Sequence, residues 1–526
     1  MNTFKSFQIG ESPFLLPLED RILHKYKKHG WRALAERVAD LANQAEKMRD
    51  DLDSSAYLAK LESALLNGKM LPNSPLLVNA AEDKQRIFAC FSVNVCEPIG
   101  KVLETFQFIH DGMGGVGYAV SGHDLDFPEM IRLIDDDTVR HQTGRPRPAS
   151  NAVTMPISGN LEKFLTLAGT LSVTNMNVAL DDVFMSDVNN EKPSLQKLLS
   201  VAQSIHATGQ PGIIFPDRIP RIAKVKNPVI AANVCGEAPL AADESALLAS
   251  LNLTAFCVAD EVGNLSFDEA GFAECVKLSV RFLDGMHDLH CHANDELKGN
   301  TSATRKIGVG IMGFAHVLML LGMRYGDDAC LAFAERVSLV LMTSAREESV
   351  RLAHQLGAYP AWHAEHGEFR RNASLVAIAG TATIALIAGT SCGVEPIFSP
   401  IWNQKIIGQH IRILDPVVSF ILERAGLDVE QAKERLLSGE SLTAIAGHAL
   451  ANLMPSAVDI PGDVHIRVQA ALQTHIDGGI TKTVNCENNT TVDQISDWIQ
   501  KAHQSGCVGL MIYRNQSLAD QPMLSN

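Results

Sequence analysis

The sequence predicts an α/β fold preceded by a helical segment, and three observations carry that reading. Apolar residues recur at helical spacing through roughly the first seventy residues. Short apolar runs then alternate with longer amphipathic stretches, and no Pro- or Ser-rich linker, fixed-period repeat or low-complexity tract interrupts them. The lead-in comprises "DRILHKYKKHGWRALAERVADLANQAEKM" and "YLAKLESALLNGKM", and "LPNSPLLVNA" ends it. Beyond that point "FACFSVNV", "NMNVAL" and "GIIF" are short enough for strands, whereas "SLQKLLSVAQSIHATG" and "FAECVKLSVRFLDGMHDL" carry helical periodicity.

Composition narrows the function. With 46% apolar and 20% charged residues the chain is an ordinary globular protein with ample core. A net charge of -15 argues against a nucleic-acid partner, because a phosphate-neutralising surface leaves a basic excess. Ten cysteines without dense spacing, behind an N-terminus "MNTFKSFQIGESPF" that does not read as a secretory leader, point to the reducing cytoplasm. Residues 372–394 carry no charge and are long enough to raise the question of a membrane span. Their Gly, Thr and Ser content favours two buried strands joined by a polar loop, with no membrane partner.

Three motifs have ordinary explanations. "GVGIMG", Gly308 to Gly313, matches a dinucleotide fingerprint, but the preceding "NTSATRK" is polar, so a close-packed helix start is expected instead. His287, His290, Cys291 and His292 have zinc-binding chemistry, yet no second cluster completes a site, and a helix end with partly exposed histidines is expected, with no metal. "GMGGVGY", Gly112 to Tyr118, lacks the Lys-Ser/Thr of a phosphate loop, so it says only that the backbone comes close to something.

Cys235, in "AANVCGEAPL", differs in kind. Asn233 and Glu237 flank it at even spacing, so in an extended loop the three side chains project to one side. A carboxylate there takes a proton from a substrate hydroxyl, and the amide fixes that hydroxyl. The thiol is left open as nucleophile, redox partner, or hydrogen-atom donor and acceptor.

"NVCGEAPL" resembles the active-site loop of ribonucleotide reductases, specifically the adenosylcobalamin-dependent class II form. "LPNSPLLVNA", "ACFSVNV", "GMGGVGY", "GQPGIIFPDRI", "RKIGVGIMGFAHVLMLLGMRYG", "IAGTSCGVEPIF" and "THIDGGITKTVN" followed by "NTTVDQI" occur in that family's order. The resemblance implies a ten-stranded α/β barrel over residues 71–520, entered by a finger loop, after a helical segment over 1–70 and before a tail over 521–526. It implies a thiyl radical at Cys235 that abstracts the ribose 3′ hydrogen, Glu237 as base on the 3′-hydroxyl with Asn233 as its hydrogen-bonding partner, and loss of the 2′-hydroxyl as water. Cys90 matches the first of two reducing cysteines, and Ser74, Gly115, Thr381 and Thr383 fall on substrate-binding segments. Adenosylcobalamin is the implied cofactor and a nucleotide the implied substrate.

The chain also departs from that family. The second reducing cysteine, eleven residues after Cys235, is replaced by Ala246. Cys257 would lie on the order of 36 Å along an extended strand and on its opposite face, and Cys96 on the order of 20 Å from Cys90, so neither substitutes. The C-terminal Cys-x-x-Cys tail is missing from "LADQPMLSN", the region between "GMGGVGY" and "GRPRPASNAV" is short for the family, and the phosphate-binding loop is altered to "GTATIA". Three readings remain: a ribonucleotide reductase fed by an external small thiol, thioredoxin-like protein or formate; a radical enzyme of the same scaffold acting without dithiol reduction on another nucleotide or sugar-like substrate; and an inactive nucleotide-binding scaffold. The chain is expected as monomer or homodimer.

Overall fold

The computed structural model describes residues 31–49, 54–80, 85–95, 98–123, 126–141, 149–188, 190–219, 231–406, 409–515 and 517. The first thirty residues of the expected helical segment, Cys96 and the expected tail 521–526 lie outside them.

Ten strands build one sheet: β1 (Met70–Pro72), β2 (Cys90–Ser92), β3 (Gly115–Ala119), β4 (Asn151–Pro156), β5 (Thr174–Ala179), β6 (Gly212–Ile214), β7 (Glu244–Asn252), β8 (Ile307–Met312), β9 (Thr483–Cys486) and β10 (Gly509–Arg514). Strands β2 to β6 are parallel neighbours in chain order, joined by helical crossovers. β6 meets β10 antiparallel, and β10 lies parallel to β9. On the other side β7 runs antiparallel to β2 and β1 and parallel to β8. Val376 bridges Val309 of β8 and Ile378 bridges Ile480 just before β9, so residues 376–378 close the sheet into a barrel.

β7 shows how the sequence encodes this closure. Every residue of "ESALLASLN" is buried, because one face meets the helices and the other the barrel interior. Leu247, Ala249 and Leu251 belong to the large outer core, while Ala246 and Leu248 pack inward with Cys90, Ala238, Leu240 and Ala377. Small side chains dominate this inner cluster, which leaves room at the centre.

The helices Trp31–Lys47 and Ser55–Leu66 form the described part of the lead-in. The first buries Leu34, Val38, Leu41 and Ala45, one stripe at helical spacing, and packs against the helix Glu269–Met286. A charged clamp fixes that packing. Asp284, fully buried in the Glu269–Met286 helix, accepts from Arg49 Nη2 at 2.7 Å, Arg305 Nε at 2.8 Å, Arg371 Nε at 3.3 Å and Asn372 Nδ2 at 2.9 Å. These guanidinium groups hold its carboxyl far below the usual aspartate range, overriding the burial that pushes the other way.

Two expectations are corrected here. Residues 372–394 are not two strands around a polar loop: residues 376–378 form a short barrel stave, and Ala382–Ala388 is a helix. Ala, Ile and Leu in "ATIALIA" suit a buried helix as well as a strand, so the apolar run alone did not discriminate. Among the described residues no helix is long and apolar enough to cross a membrane. "GVGIMG" is mostly strand β8, and only Gly313, at φ +81°, opens the helix Phe314–Leu320. The glycines serve packing: a Cβ at Gly310 would stand 2.5 Å from the Ala377 carbonyl oxygen.

His287 caps the Glu269–Met286 helix, buried rather than partly exposed, with its Nε2–H donating to the Lys306 carbonyl at 3.0 Å. Burial pushes its pKa down to about 3. His290 and His292 are half-buried, and His290 stacks on Phe88. Among the described residues no group of three or more His, Cys, Asp or Glu is arranged to hold a metal ion.

Candidate functional site

A cavity of about 200 Å³ opens inside the barrel, and Ser74, Cys90, Gly115, Asn233, Cys235, Glu237, Thr381 and Thr383 all line it. These residues come from five separate stretches of the chain.

The short strands Ala231–Ala232 and Pro239–Leu240 pair antiparallel and present the residues between them as a tight turn. The Gly236 N–H donates to the Asn233 carbonyl at 3.0 Å, and Gly236 sits at φ +80°, a conformation that favours glycine. The expected reason for the convergence is therefore corrected: a turn, rather than the parity of an extended loop, gathers Asn233, Cys235 and Glu237. Asn233 and Glu237 are buried beneath the turn, and Cys235 is half-buried above them. The turn docks closely. A Cβ at Gly115 would come within 2.7 Å of Val234 Cγ2, and one at Gly479 within 2.6 Å of the Gly236 carbonyl oxygen, so both glycines are required for the approach. This is what "GMGGVGY" comes close to.

Asn233 spends its amide locally. Its Oδ1 accepts from the Ala238 N–H at 3.0 Å and its Nδ2 donates to Cys90 Sγ at 2.9 Å. Cys90 Sγ lies 3.8 Å from Glu237 Oε1. Thr481 Oγ1 lies 3.0 Å from both Glu237 Oε2 and the Cys235 carbonyl oxygen. Burial pushes the Glu237 carboxyl above its usual range, and the hydrogen bonds from its own backbone, Asn233, Thr481 and Cys90 only partly oppose it.

Cys90 on β2 is paired in register with Gly115 on β3 and with Ala246 on β7. The position expected for a second thiol thus faces Cys90 directly and holds only a methyl group. Cys257 is not on a continuation of β7: a 3-10 turn over Leu253–Phe256 intervenes, and Cys257 begins a separate hairpin. None of the nine described cysteines is in a disulfide.

Across the cavity Thr381 adopts φ +51°, strained for a β-branched residue, and its Oγ1 accepts from the Gly393 N–H at 2.7 Å. Its hydroxyl proton is left to donate. Sequence reasoning missed two residues. Asn73 lines the cavity; its Oδ1 accepts from the Leu76 N–H at 3.0 Å, while its buried Nδ2 has no acceptor among the described residues. Capping alone is served as well by Asp or Ser, so the amide was the available signal. Thr481 reaches the site across more than 240 residues, and nothing local to it announced this. Its neighbour Lys482 anchors the segment from outside, with its buried ammonium on Glu395 Oε2 at 2.6 Å and His465 Nδ1 at 2.7 Å.

The profile of the family described as "Ribonucleotide reductase, barrel domain" matches residues 187–370 and 364–513. The chain is 30% identical to a vitamin B12-dependent ribonucleoside-diphosphate reductase of Mycobacterium tuberculosis, over 94% of this chain and 77% of that one. It is 27% identical to the enzyme of the same name from Thermoplasma acidophilum, over 88% and 65% of the two chains. The solved structure of the Actinobacillus ureae class Id ribonucleotide reductase alpha subunit superposes with a TM-score of 0.81, covering 98% of this chain and 99% of that one at 19% identity. That likeness establishes the ribonucleotide reductase barrel as the fold. The chain belongs to the ribonucleotide reductase family.

Proposed function

We propose that this chain is an adenosylcobalamin-dependent reductase that converts ribonucleotides to 2′-deoxyribonucleotides through a thiyl radical at Cys235. The observation that carries the reading is the interior cavity walled by Cys235, Asn233, Glu237 and Cys90. The Mycobacterium and Thermoplasma relatives are vitamin B12-dependent by name, and the residues present are compatible with that cofactor. Cys235 is half-buried at the turn while its polar neighbours are covered, which leaves one side of the thiol approachable by a bulky group. The half-buried Val234–Cys235–Gly236 turn is the part of the chain that would face it. When bound, adenosylcobalamin supplies the one-electron chemistry that turns the Cys235 thiol into a thiyl radical.

Cys235 then removes the 3′ hydrogen, and ionised Glu237 takes the 3′-hydroxyl proton. Asn233 keeps Cys90 beside Glu237 through its bond to Sγ. Thr381 and Thr383 offer hydroxyls to the phosphate, and the spare Asn73 Nδ2–H donates to an acceptor oxygen of the nucleotide. The cavity's size and its interior position favour a small reductant over a protein partner. The 2′-hydroxyl leaves as water, Cys90 and one external thiol supply the two electrons, and a disulfide forms between Cys90 Sγ and that thiol's sulfur.

The primary test is incubation with adenosylcobalamin, a small dithiol such as dithiothreitol and each ribonucleoside di- and triphosphate. Formation of 5′-deoxyadenosine and a 2′-deoxy product, both lost in Cys235→Ala, is expected; a wild type that forms neither overturns the reading. Ala246→Cys tests the electron source. Cross-strand Cα separations of about 4.5–5.5 Å fall within the disulfide range, so this variant should complete one turnover without added thiol. Ala246 also favours a second reading, a redox-neutral radical elimination or rearrangement, for which Cys90→Ser would leave turnover intact.

A further inference from the structure

Thr481 has one hydroxyl proton and two oxygen neighbours at the same 3.0 Å, Glu237 Oε2 and the Cys235 carbonyl. If Glu237 were ionised, both neighbours would be acceptors only, and one of the two contacts would be left without a proton. A proton on Oε2 satisfies everything: Oε2–H donates to Thr481 Oγ1, Thr481 O–H donates to the Cys235 carbonyl, and Oε1 remains an acceptor toward the Cys90 thiol. The surroundings agree. The groups that meet the Glu237 carboxyl are Cys90 from β2, Asn233 from its own turn, and Thr481 from the segment entering β9. On that segment Lys482 points to Glu395 and His465, and Asp477 accepts from the Leu375 and Val376 N–H groups, so both charged neighbours are committed elsewhere. A buried carboxyl without a cation favours its neutral form.

We propose that Thr481 is a positioning residue that couples the proton on Glu237 to the turn carrying Cys235. At rest Glu237 is the neutral acid and the Cys235 carbonyl is held by the Thr481 hydroxyl. When Glu237 ionises to act as a base, the hydroxyl turns to Oε2, since a hydrogen bond to a carboxylate is the stronger one, and the Cys235 carbonyl gives up that donor. The acid-base residue and the radical-bearing turn therefore change state together. This rests on the radical reading above for its role in turnover, whereas the coupling itself is a property of the folded chain.

The test uses Thr481→Val, which keeps shape and removes the hydroxyl, and Thr481→Ser, which restores it. The first readout needs no turnover: the rate of Cys235 alkylation by iodoacetamide, followed by peptide mass spectrometry against pH. Wild type and Thr481→Ser should show a step at Glu237 ionisation beyond the thiol's own titration, and Thr481→Val and Glu237→Gln should reduce to a single titration. The second is the acid limb of kcat/KM, expected to move up by about one pH unit in Thr481→Val, the equivalent of one hydrogen bond to a charged group. Identical alkylation profiles in wild type and Thr481→Val would overturn the coupling even in an active enzyme. A wild type without deoxynucleotide product leaves the alkylation outcome standing and overturns only the radical reading.

Discussion

Two carboxyl groups, Asp284 and Glu237, are withdrawn from water to nearly the same degree, and burial has opposite outcomes for them. Asp284 meets three guanidinium groups and a carboxamide, so it stays ionised far below the aspartate range and ties an N-terminal helix to the barrel wall. Glu237 meets a thiol, a hydroxyl, an amide and, among the described residues, no cation, so burial pushes its carboxyl up. The clamp spends its charge on structure. Burial instead favours the protonated form at Glu237, and the pair illustrates how partners, rather than depth, divide structural from chemical carboxylates.

Substituting each group tests the contrast. Glu237→Gln should lower kcat by roughly 10²- to 10⁴-fold, the usual worth of a positioned base, with nucleotide affinity retained in calorimetry. It should not destabilise the fold: the raised pKa makes the buried carboxyl increasingly costly as pH rises through its folded value, and Gln removes that dependence. Asp284→Asn should cost about 3–5 kcal/mol in urea unfolding, because it strands buried arginines. The wild-type protein should lose this contribution in acid. The depressed pKa means the clamp is fully present above the ordinary aspartate value of 3.8 and weakens as pH falls below it, a slope that Asp284→Asn abolishes. The smallest effect belongs to Arg371→Gln. Its 3.3 Å contact is the longest of the three arginine arms, and about 1.5 kcal/mol is expected. Equal losses for Arg371→Gln and Arg305→Gln would show that the clamp responds as one unit.

Much of this is legible in the sequence. "NVCGEAPL" named the turn, and the eleven-residue offset from Cys235 to Ala246 anticipated a methyl group facing Cys90 across β2 and β7. What escaped depended on contacts distant in sequence. Thr481 meets the turn only after the barrel closes, and the spare donor of Asn73 is visible only once its cap is seen to use Oδ1. The stretch 372–394 was misjudged because an apolar run buried on all sides carries no periodicity to separate strand from helix. Parity grouped three residues that do line one cavity, but for a mistaken reason, since the turn at Gly236 makes spacing irrelevant there.

The ring of strands is completed by residues 374–378, hydrogen-bonded on one side to β8 and on the other to the segment entering β9. At this seam the Ile378 N–H donates to the Gly479 carbonyl, the Thr481 N–H to the Ile378 carbonyl, and the Gly479 N–H to the Glu237 carbonyl at 2.7 Å. The stitch that shuts the cylinder is thus also the mooring of the reactive hairpin. Any breathing that parts those staves would loosen the sulfur and admit solvent at the same instant, so the radical proposed for Cys235 would last only while the last gap in the wall stays shut.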